Sequence, residues 1–293
     1  MSNKKTGRIA VPFLLTIFIG LILIGGAAIF LYSYFELGKE DELKEPIARS
    51  STTASYEDSH TILFIIDLPE ENCSSTFVLM RSVPKEKKVL YVGLPSNSIA
   101  VINDKQTGLK EAYERGGADA AVEFAEQTLG VEVDKYMTFN KEAFLKFCDI
   151  MGGVTYAINA DIPGIQETSA EQYLSGSKIL KVITYPFFSG GEEQRAYTAS
   201  SIFSSMMNQA DGKRLADNLD TSFTSLVNLS ETDITAVDYK DKKSGVKYML
   251  ENGITIARFR AITGTSASGS FIIDKAFGDE IKKEYFTTAE DKE

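Results

Sequence analysis

From Ile9 to Phe35 the chain carries no charged side chain, while Lys4, Lys5 and Arg8 precede the run and Glu36, Glu40, Asp41 and Glu42 follow it. At ~1.5 Å per residue a helix of that length exceeds the ~30 Å hydrocarbon core, so one tilted helix can span a bilayer. The preceding cations hold the short tail, 1–8, in the cytoplasm and place everything after Phe35 outside the membrane. A cleaved signal peptide is the competing reading, because Gly25, Gly26, Ala27 and Ala28 imitate a cleavage site. Apolar Ile29, Phe30, Leu31 and Tyr32 continue beyond that point and favour a retained anchor. A single-pass cell-membrane protein with an external domain is the expectation.

Beyond Phe35 lie 258 residues (293 − 35), enough for one large domain or two small ones. A hydrophobic content of 43% supports a real core, not a disordered stalk. The net charge of −10 argues against nucleic acid as a partner, since phosphate binding needs a basic stripe. Lys85, Lys87 and Lys88, like Lys240, Lys242 and Lys243, form short clusters that read as solvated loops. The single histidine, His60, excludes a histidine-built zinc site and leaves no Ser-His-Asp triad unless His60 serves it. Two cysteines, Cys73 and Cys148, make no disulfide framework. Cys148 falls in the apolar pattern of Phe144, Phe147 and Met151 and reads as a small buried hydrophobe.

Gly38 to Ser59 is polar and reads as a linker. Thr61–Asp67 is an apolar run closed by an acid, which predicts a strand buried on both faces. Thr76–Val83 and Val89–Leu94 predict two further strands joined as a hairpin. Apolar spacing across Lys110 to Leu129 predicts a short helical turn, a break at Gly116-Gly117, and a helix from about Ala118. Lys135–Phe139 and Val154–Ile158 read as strands around a helix over Lys141–Met151, capped by Asn140 and stopped by Gly152-Gly153. Helical periodicity returns over Glu192–Ala210 and Lys213–Val227, and Ser230 to Asp233 has the form of a helix start. Gly264–Gly269 reads as a flexible loop, and Phe271 to Phe286 as a strand leading into a terminal helix. The early order, β-β-β-α-β-α-β, is an α/β sandwich pattern.

The segments ILFIID (62–67), SSTFVLMRSV (74–83), KEKKVLYVGLP (85–95), GLKEAYERGGADAAVEFAEQTLGVEVDKYMTFN (108–140) and FCDIMGGVTYAI (147–158) resemble, in order, the LytR-CpsA-Psr family. Ala112-Tyr113 with Gly116-Gly117, Leu-Gly-Val (129–131) and the Asp149 to Val154 segment are the most specific marks. LSGSKIL (174–180), EEQRAY (192–197) and LSETDI (229–234) extend the match more weakly. The resemblance implies a membrane-anchored envelope protein whose external domain is a three-layer α/β/α sandwich with a central mixed sheet. It would divide the chain into a tail 1–8, an anchor 9–35, a linker 36–60, a domain 61–240 and a C-terminal extension 241–293 packing on it. It also implies transfer of a wall glycopolymer from a polyprenyl-pyrophosphate carrier to peptidoglycan, with arginines on the pyrophosphate, acids on Mg²⁺ and the lipid tail in an apolar cleft.

Here the chain departs from the family's pattern. Asp67 matches the acid after the first strand and would be the Mg²⁺ ligand, or a structural acid. The charged opening of the second strand is replaced by Cys73-Ser74-Ser75-Thr76, and the charged pair after the third strand by Ser96-Asn97. The paired arginines further on fall at 184–187, where no cation stands; Arg195 fits one of the last arginines. Asp67 and Arg195 are thus the remaining catalytic candidates, with Arg81, Arg115 and Lys110 as possible substitute phosphate contacts. Losing one charged transition-state contact costs ~10²–10³ in rate, so several losses predict a site without useful transfer. The reading favoured is a degenerate member with a binding or scaffold role. An active phosphotransferase and an anchored adhesion or sensing ectodomain are the alternatives. An apolar tunnel lined by helices from the 118–151 region is expected to end near Asp67.

Overall fold

The computed structural model describes residues 53–69, 73–102, 104–165 and 169–287. The expected anchor and cytoplasmic tail lie outside the described residues, among which no helix is long and apolar enough to cross a membrane.

Three strands, β1 (His60–Ile66), β2 (Thr76–Val83) and β3 (Lys88–Leu94), form an antiparallel meander. The turn between β2 and β3 is closed by Lys87 in the left-handed region. A small hairpin, β4 (Ile99–Ile102) and β5 (Lys105–Gly108), leads into α1 (Leu109–Leu129). That helix breaks at Gly117, whose φ of 66° with ψ of −154° separates a first turn from the main helix, as the Gly pair predicts. Next come β6 (Lys135–Phe139), parallel to β1, and α2 (Lys141–Met151). Asn140 caps α2 by accepting from the Ala143 N–H at 2.9 Å, and Gly152 ends it with φ of 96°.

A second hairpin, β7 (Val154–Ala157) and β8 (Glu171–Leu174), precedes a run of helices: α3 (Gly176–Ile183), α4 (Gly191–Gln209), α5 (Gly212–Asp217) and α6 (Leu219–Leu229). The helix expected over 213–227 is therefore two helices that meet at Asn218. Ser230 starts no helix. Glu231–Thr232 forms β9, an edge strand on β6, and the helix start moves to Thr235, which with Asp238 makes the capping box of α7 (Ala236–Asn252). β10 (Ala257–Arg260) pairs in parallel with β3; β11 (Gly264–Ala267) forms where a loop was expected and makes a hairpin with β12 (Ser270–Ile273), in the stretch read as a strand. The chain then runs through α8 (Lys275–Ile281) into a π-helical turn. The boundary expected at 240/241 falls inside α7, and β10 belongs to the central sheet.

The six-stranded mixed sheet has the order β10-β3-β2-β1-β6-β9. Because β1 is apolar on both faces, each face needs a cover. Leu63 and Ile65 pack with Phe77 and Leu79 against Phe124 of α1 and Phe277 of α8. Phe64 and Ile66 pack on the other face with Val78 and Phe139 against Phe144 of α2 and Phe203 of α4. Gly93 of β3 lets α4 approach so closely that any Cβ there would meet the Ala196 carbonyl. Cys148 is buried in the second cluster, and burial pushes its thiol pKa up to about 12.

Candidate functional site

The strand ends after β1 and β3, the start of β2 and the first turns of α1 and α4 converge at one end of the sheet's central strands. Asp67 sits there, its backbone N–H donating to the Phe139 carbonyl at 3.0 Å and so extending the β1–β6 pairing by one residue. Its half-buried carboxylate accepts from Ser75 Oγ at 2.8 Å and from the Tyr113 hydroxyl at 3.1 Å. Tyr113 lies upstream of the Gly117 break, and its ring meets Phe77 edge-on at 5.6 Å. Burial first, and then the Asp67 charge, push the phenol pKa well above its usual value, so it stays a donor.

Arg195, in the first turns of α4, is 3% exposed. Its Nε donates to Glu192 at 3.1 Å. Its Nη1 donates to the Ser74 carbonyl at 3.0 Å, the Thr76 hydroxyl at 2.7 Å and the Ile183 carbonyl at 3.1 Å. Its Nη2 donates to the Ser75 carbonyl at 3.2 Å and to Glu192. Every nitrogen of the guanidinium thus has an acceptor within the chain, and Glu192 neutralises it at helical spacing. The Ser96 hydroxyl donates to the same Glu192 carboxylate. Ser75 joins the two candidates, since its hydroxyl serves Asp67 and its carbonyl serves Arg195.

Asp67 and Arg195 are therefore brought to one place. Lys110 is nearby in α1, its backbone N–H on the Ser96 carbonyl at 3.2 Å, but its ammonium is half exposed and 3.8 Å from Glu114. Arg115 is exposed and turned back on its own helix, with Nη2 donating to Glu111 at 3.0 Å. Arg81 pairs with Thr61 at the opposite end of β1. Six residues of strand separate that position from Asp67, about 20 Å at the rise of a strand. There Arg81 donates to Thr61 Oγ1 at 3.1 Å and stacks 4.4 Å from the centre of the Phe286 ring. Sequence reasoning missed Ser75, Glu192 and Ser96 as parts of this network; the Glu at i−3 from Arg195 was the signal available.

The second element of the site is a groove. Between the sheet and helices α2, α6 and α7 lies a cavity of about 360 Å³, floored by Ile62, Phe64, Met137 and Phe139. A second cavity of about 180 Å³ adjoins it and shares His60, Phe64, Phe147, Leu226 and Val246. The floor runs from His60 to Phe139, the residue whose carbonyl holds the Asp67 N–H. α2 lines this groove through Phe147, but the 118–129 part of α1 covers the other face of the sheet, which corrects the expected lining. α6 carries Leu219, Leu226 and Leu229 yet buries no residue fully, because the gap lies beneath it.

At the far mouth stand His60, Asp134, Lys135, Asp238, Lys242 and Lys243, beneath Phe223 and Tyr239, whose rings stack with centroids 4.0 Å apart. His60 Nδ1 donates to the Asp58 carbonyl at 2.9 Å, and burial lowers its pKa from 6.5. Lys135 pairs with Asp238 at 3.0 Å and Lys243 with Asp220 at 2.7 Å, while Lys242 donates to the Glu57 carbonyl. Hydrogen bonds from Thr235, aided by Lys135, hold the Asp238 carboxyl down to about 2.

A family model described as the LytR_cpsA_psr family matches residues 34–286. Among curated proteins, the polyisoprenyl-teichoic acid–peptidoglycan teichoic acid transferase TagU of Halalkalibacterium halodurans is 28% identical over 157 residues, 47% of this chain and 51% of that protein. The chain spans about half the length of the curated relatives it matches. A crystal structure from Eubacterium siraeum, described as a transcription regulator, superposes with a TM-score of 0.72 at 16% identity, covering 83% of this chain and 97% of that one. TagT bound to LI-WTA superposes with a TM-score of 0.60 at 16% identity, covering 83% of this chain and 92% of that one. At these identities the structural likeness establishes the fold.

Proposed function

This chain belongs to the LytR-CpsA-Psr family, and from that membership we propose that it is a tethered, external protein of wall-glycopolymer assembly that holds a polyprenyl-linked glycan without transferring it. One observation carries the reading: Arg195 is fully engaged by Glu192 and the 74–76 segment, and among the described residues no second arginine contacts that end of the sheet. A pyrophosphate leaving group needs its developing charge stabilised by donors free to meet it. Freeing Arg195 would strip a half-buried carboxylate contact and four acceptors at once.

The groove supports the binding half of the proposal. Its apolar floor suits a prenyl chain, and its volume is in the ~300–1,000 Å³ range of ligand pockets. An anchor at 9–35 would tether the protein to the membrane in which such lipids reside. Among the described residues no group of three or more His, Cys, Asp or Glu is placed to hold a metal ion, and Mg²⁺ at this end would rest on Asp67 together with water and pyrophosphate oxygens. Asp67 keeps lone pairs beyond those taken by Ser75 and Tyr113, so its donor set fits a largely hydrated ion. Such an ion would supply charge neutralisation to the bound pyrophosphate.

The test uses the full-length protein in nanodiscs with a polyprenyl pyrophosphate and Mg²⁺. Mass spectrometry of the purified protein should find prenyl lipid, and prolonged incubation should release no phosphate product. Turnover would overturn the non-catalytic reading and establish an active transferase. Failure to retain any prenyl lipid would overturn the binding role and favour an adhesion or sensing ectodomain.

A further inference from the structure

Among the helices on the groove's face of the sheet, α6 is held in a manner of its own. α2 buries Ala143, Phe144, Cys148 and Met151, and even the short α5 buries Leu215 and Ala216, whereas α6 buries no residue fully. Its Leu219, Leu226, Val227 and Leu229 only lean on the core, with the two cavities beneath them. An eleven-residue helix is marginal in water without tertiary support, so its ties to other elements decide whether it stays folded. Near its start, Asp220 accepts from the Tyr239 hydroxyl and from the Lys243 ammonium, each at 2.7 Å. One turn on, Phe223 stacks on the Tyr239 ring. At its end the Leu229 carbonyl accepts from Asn140 Nδ2 at 3.2 Å. Among the described residues no other hydrogen bond joins 219–229 to a neighbouring element. Both donors to Asp220 stand on α7, four residues apart on one face.

Resting on the reading that the groove takes a prenyl chain, we infer that 219–229 is a lid that opens as a local unit, with Asp220, Tyr239 and Lys243 as its latch. The backbone marks the hinges. Asn218, at φ −110° and ψ 15°, and Ser230, at φ −107° and ψ 154°, both leave the helical region. The Asn218 side chain bonds back to the Arg214 carbonyl of α5 and does not cap α6, and Ser230 Oγ is buried without a partner. As a helix the segment spans about 16 Å; extended, the same residues reach roughly 36 Å, so they can lift off the groove with both hinges in place. A long apolar chain is then laid in from the side and need not thread past the Phe223–Tyr239 stack at the mouth. Opening exposes side chains that are already half in water, so it costs far less than lifting α2 or α4. A chain in the groove gives Leu219 and Leu226 an apolar surface to close upon, so occupancy shuts the lid.

The test substitutes only α7 and leaves the sequence of the lid's own latch residue intact. Tyr239→Phe with Lys243→Ala removes both donors to Asp220 and keeps the ring stack. Full-length protein in nanodiscs is followed by hydrogen–deuterium exchange with mass spectrometry. Exchange over 219–229 should run about three- to tenfold faster in the double variant, the loss expected for one exposed ion pair and one hydrogen bond. Peptides from α2 and α4 should be unmoved. The chain has no tryptophan, so Phe223→Trp, carried in both backgrounds, gives a single fluorescent reporter at the latch. With farnesol, a prenyl chain without phosphate, entry and exit rates should rise together by that same factor while the affinity stays within about twofold, because only closure is weakened. Unchanged exchange and unchanged rates would overturn the latch. Exchange rising equally over α2 and α4 would show that the two bonds hold the whole domain, and would overturn the lid. A faster exit with no change in entry would make Tyr239 and Lys243 ligand contacts, again against the latch. No farnesol binding in either background would sink the groove reading, and the exchange comparison would still decide whether α6 opens.

Discussion

The two ends of β1 handle charge in opposite ways. Beyond Ile66, Asp67, Arg195, Glu192, Ser75 and Ser96 form a network in which the guanidinium and both carboxylates meet donors or acceptors of the same chain. Before Thr61, His60 and Lys242 each make one bond to a backbone carbonyl and turn their remaining polar capacity toward an apolar groove. A site built for a charged ligand keeps some of its hydrogen-bonding groups unanswered until that ligand arrives. By this measure the Asp67 end is joined within the chain itself, and the unanswered groups lie about 20 Å away. The lesson is that a residue surviving at a motif position tells less about function than the partners it has acquired.

Removing the arginine is the sharpest way to break that comparison. Arg195→Ala should destabilise the protein by about 3–5 kcal/mol, because Glu192 loses its counter-charge and the carbonyls of Ser74, Ser75 and Ile183 lose their donors in a buried place. Arg195→Lys should rescue only part, since an ammonium cannot reproduce the planar fork. Urea denaturation with both variants measures it. A loss below about 1 kcal/mol for the alanine variant would mean that the arginine is free to serve a ligand.

Tyr113→Phe probes the same joint more gently. The variant keeps the edge-on contact with Phe77 and deletes the hydroxyl that donates to Asp67. The expected cost is about 0.5–1.5 kcal/mol, the net worth of an ordinary hydrogen bond. Retention of prenyl lipid should be unchanged, because Tyr113 lies on the face of the sheet opposite the groove. A variant that keeps its stability but loses its lipid would show that the Tyr113 hydroxyl serves the ligand and not the joint, and would break the comparison.

Much of this architecture is legible in the sequence, and the exceptions have physical causes. β1 to β3 and the caps of α2 are readable because the apolar runs are long and the capping groups local. β9 is not, since Glu231 and Thr232 become a strand only through pairing with β6, nearly a hundred residues earlier in the chain. β11 hides in a Gly, Ser and Thr stretch that lacks apolar alternation, whereas its partner β12 carries Phe271, Ile272 and Ile273. Asp67 and Arg195 stand out as surviving motif positions, but their meaning depends on Ser75 and Ser96, supplied by segments remote from α4. The groove is a volume between helices that fail to close, and no residue pattern encodes a volume.

The smallest expected effect belongs to the other end of β1 and appears only in acid. Burial lowers the His60 pKa from 6.5, with Lys242 and Arg81 lowering it further while the Asp58 carbonyl and Asp134 oppose them. A group that binds its proton more weakly when folded favours the unfolded chain once protonation begins. Stability should therefore decline as pH falls below about 6.5, the unfolded value, and the contribution levels off once the folded pKa is passed. Carboxylates titrate in the lower part of that range, so the informative quantity is the difference between the wild-type chain and His60→Gln, whose side-chain amide can still donate to Asp58. Urea midpoints compared from pH 7.5 to 5 should diverge, with the wild type losing stability faster. Parallel curves without lipid would show that His60 is already open to water, and the mouth would then lack the desolvated imidazole on which the contrast between the two ends depends.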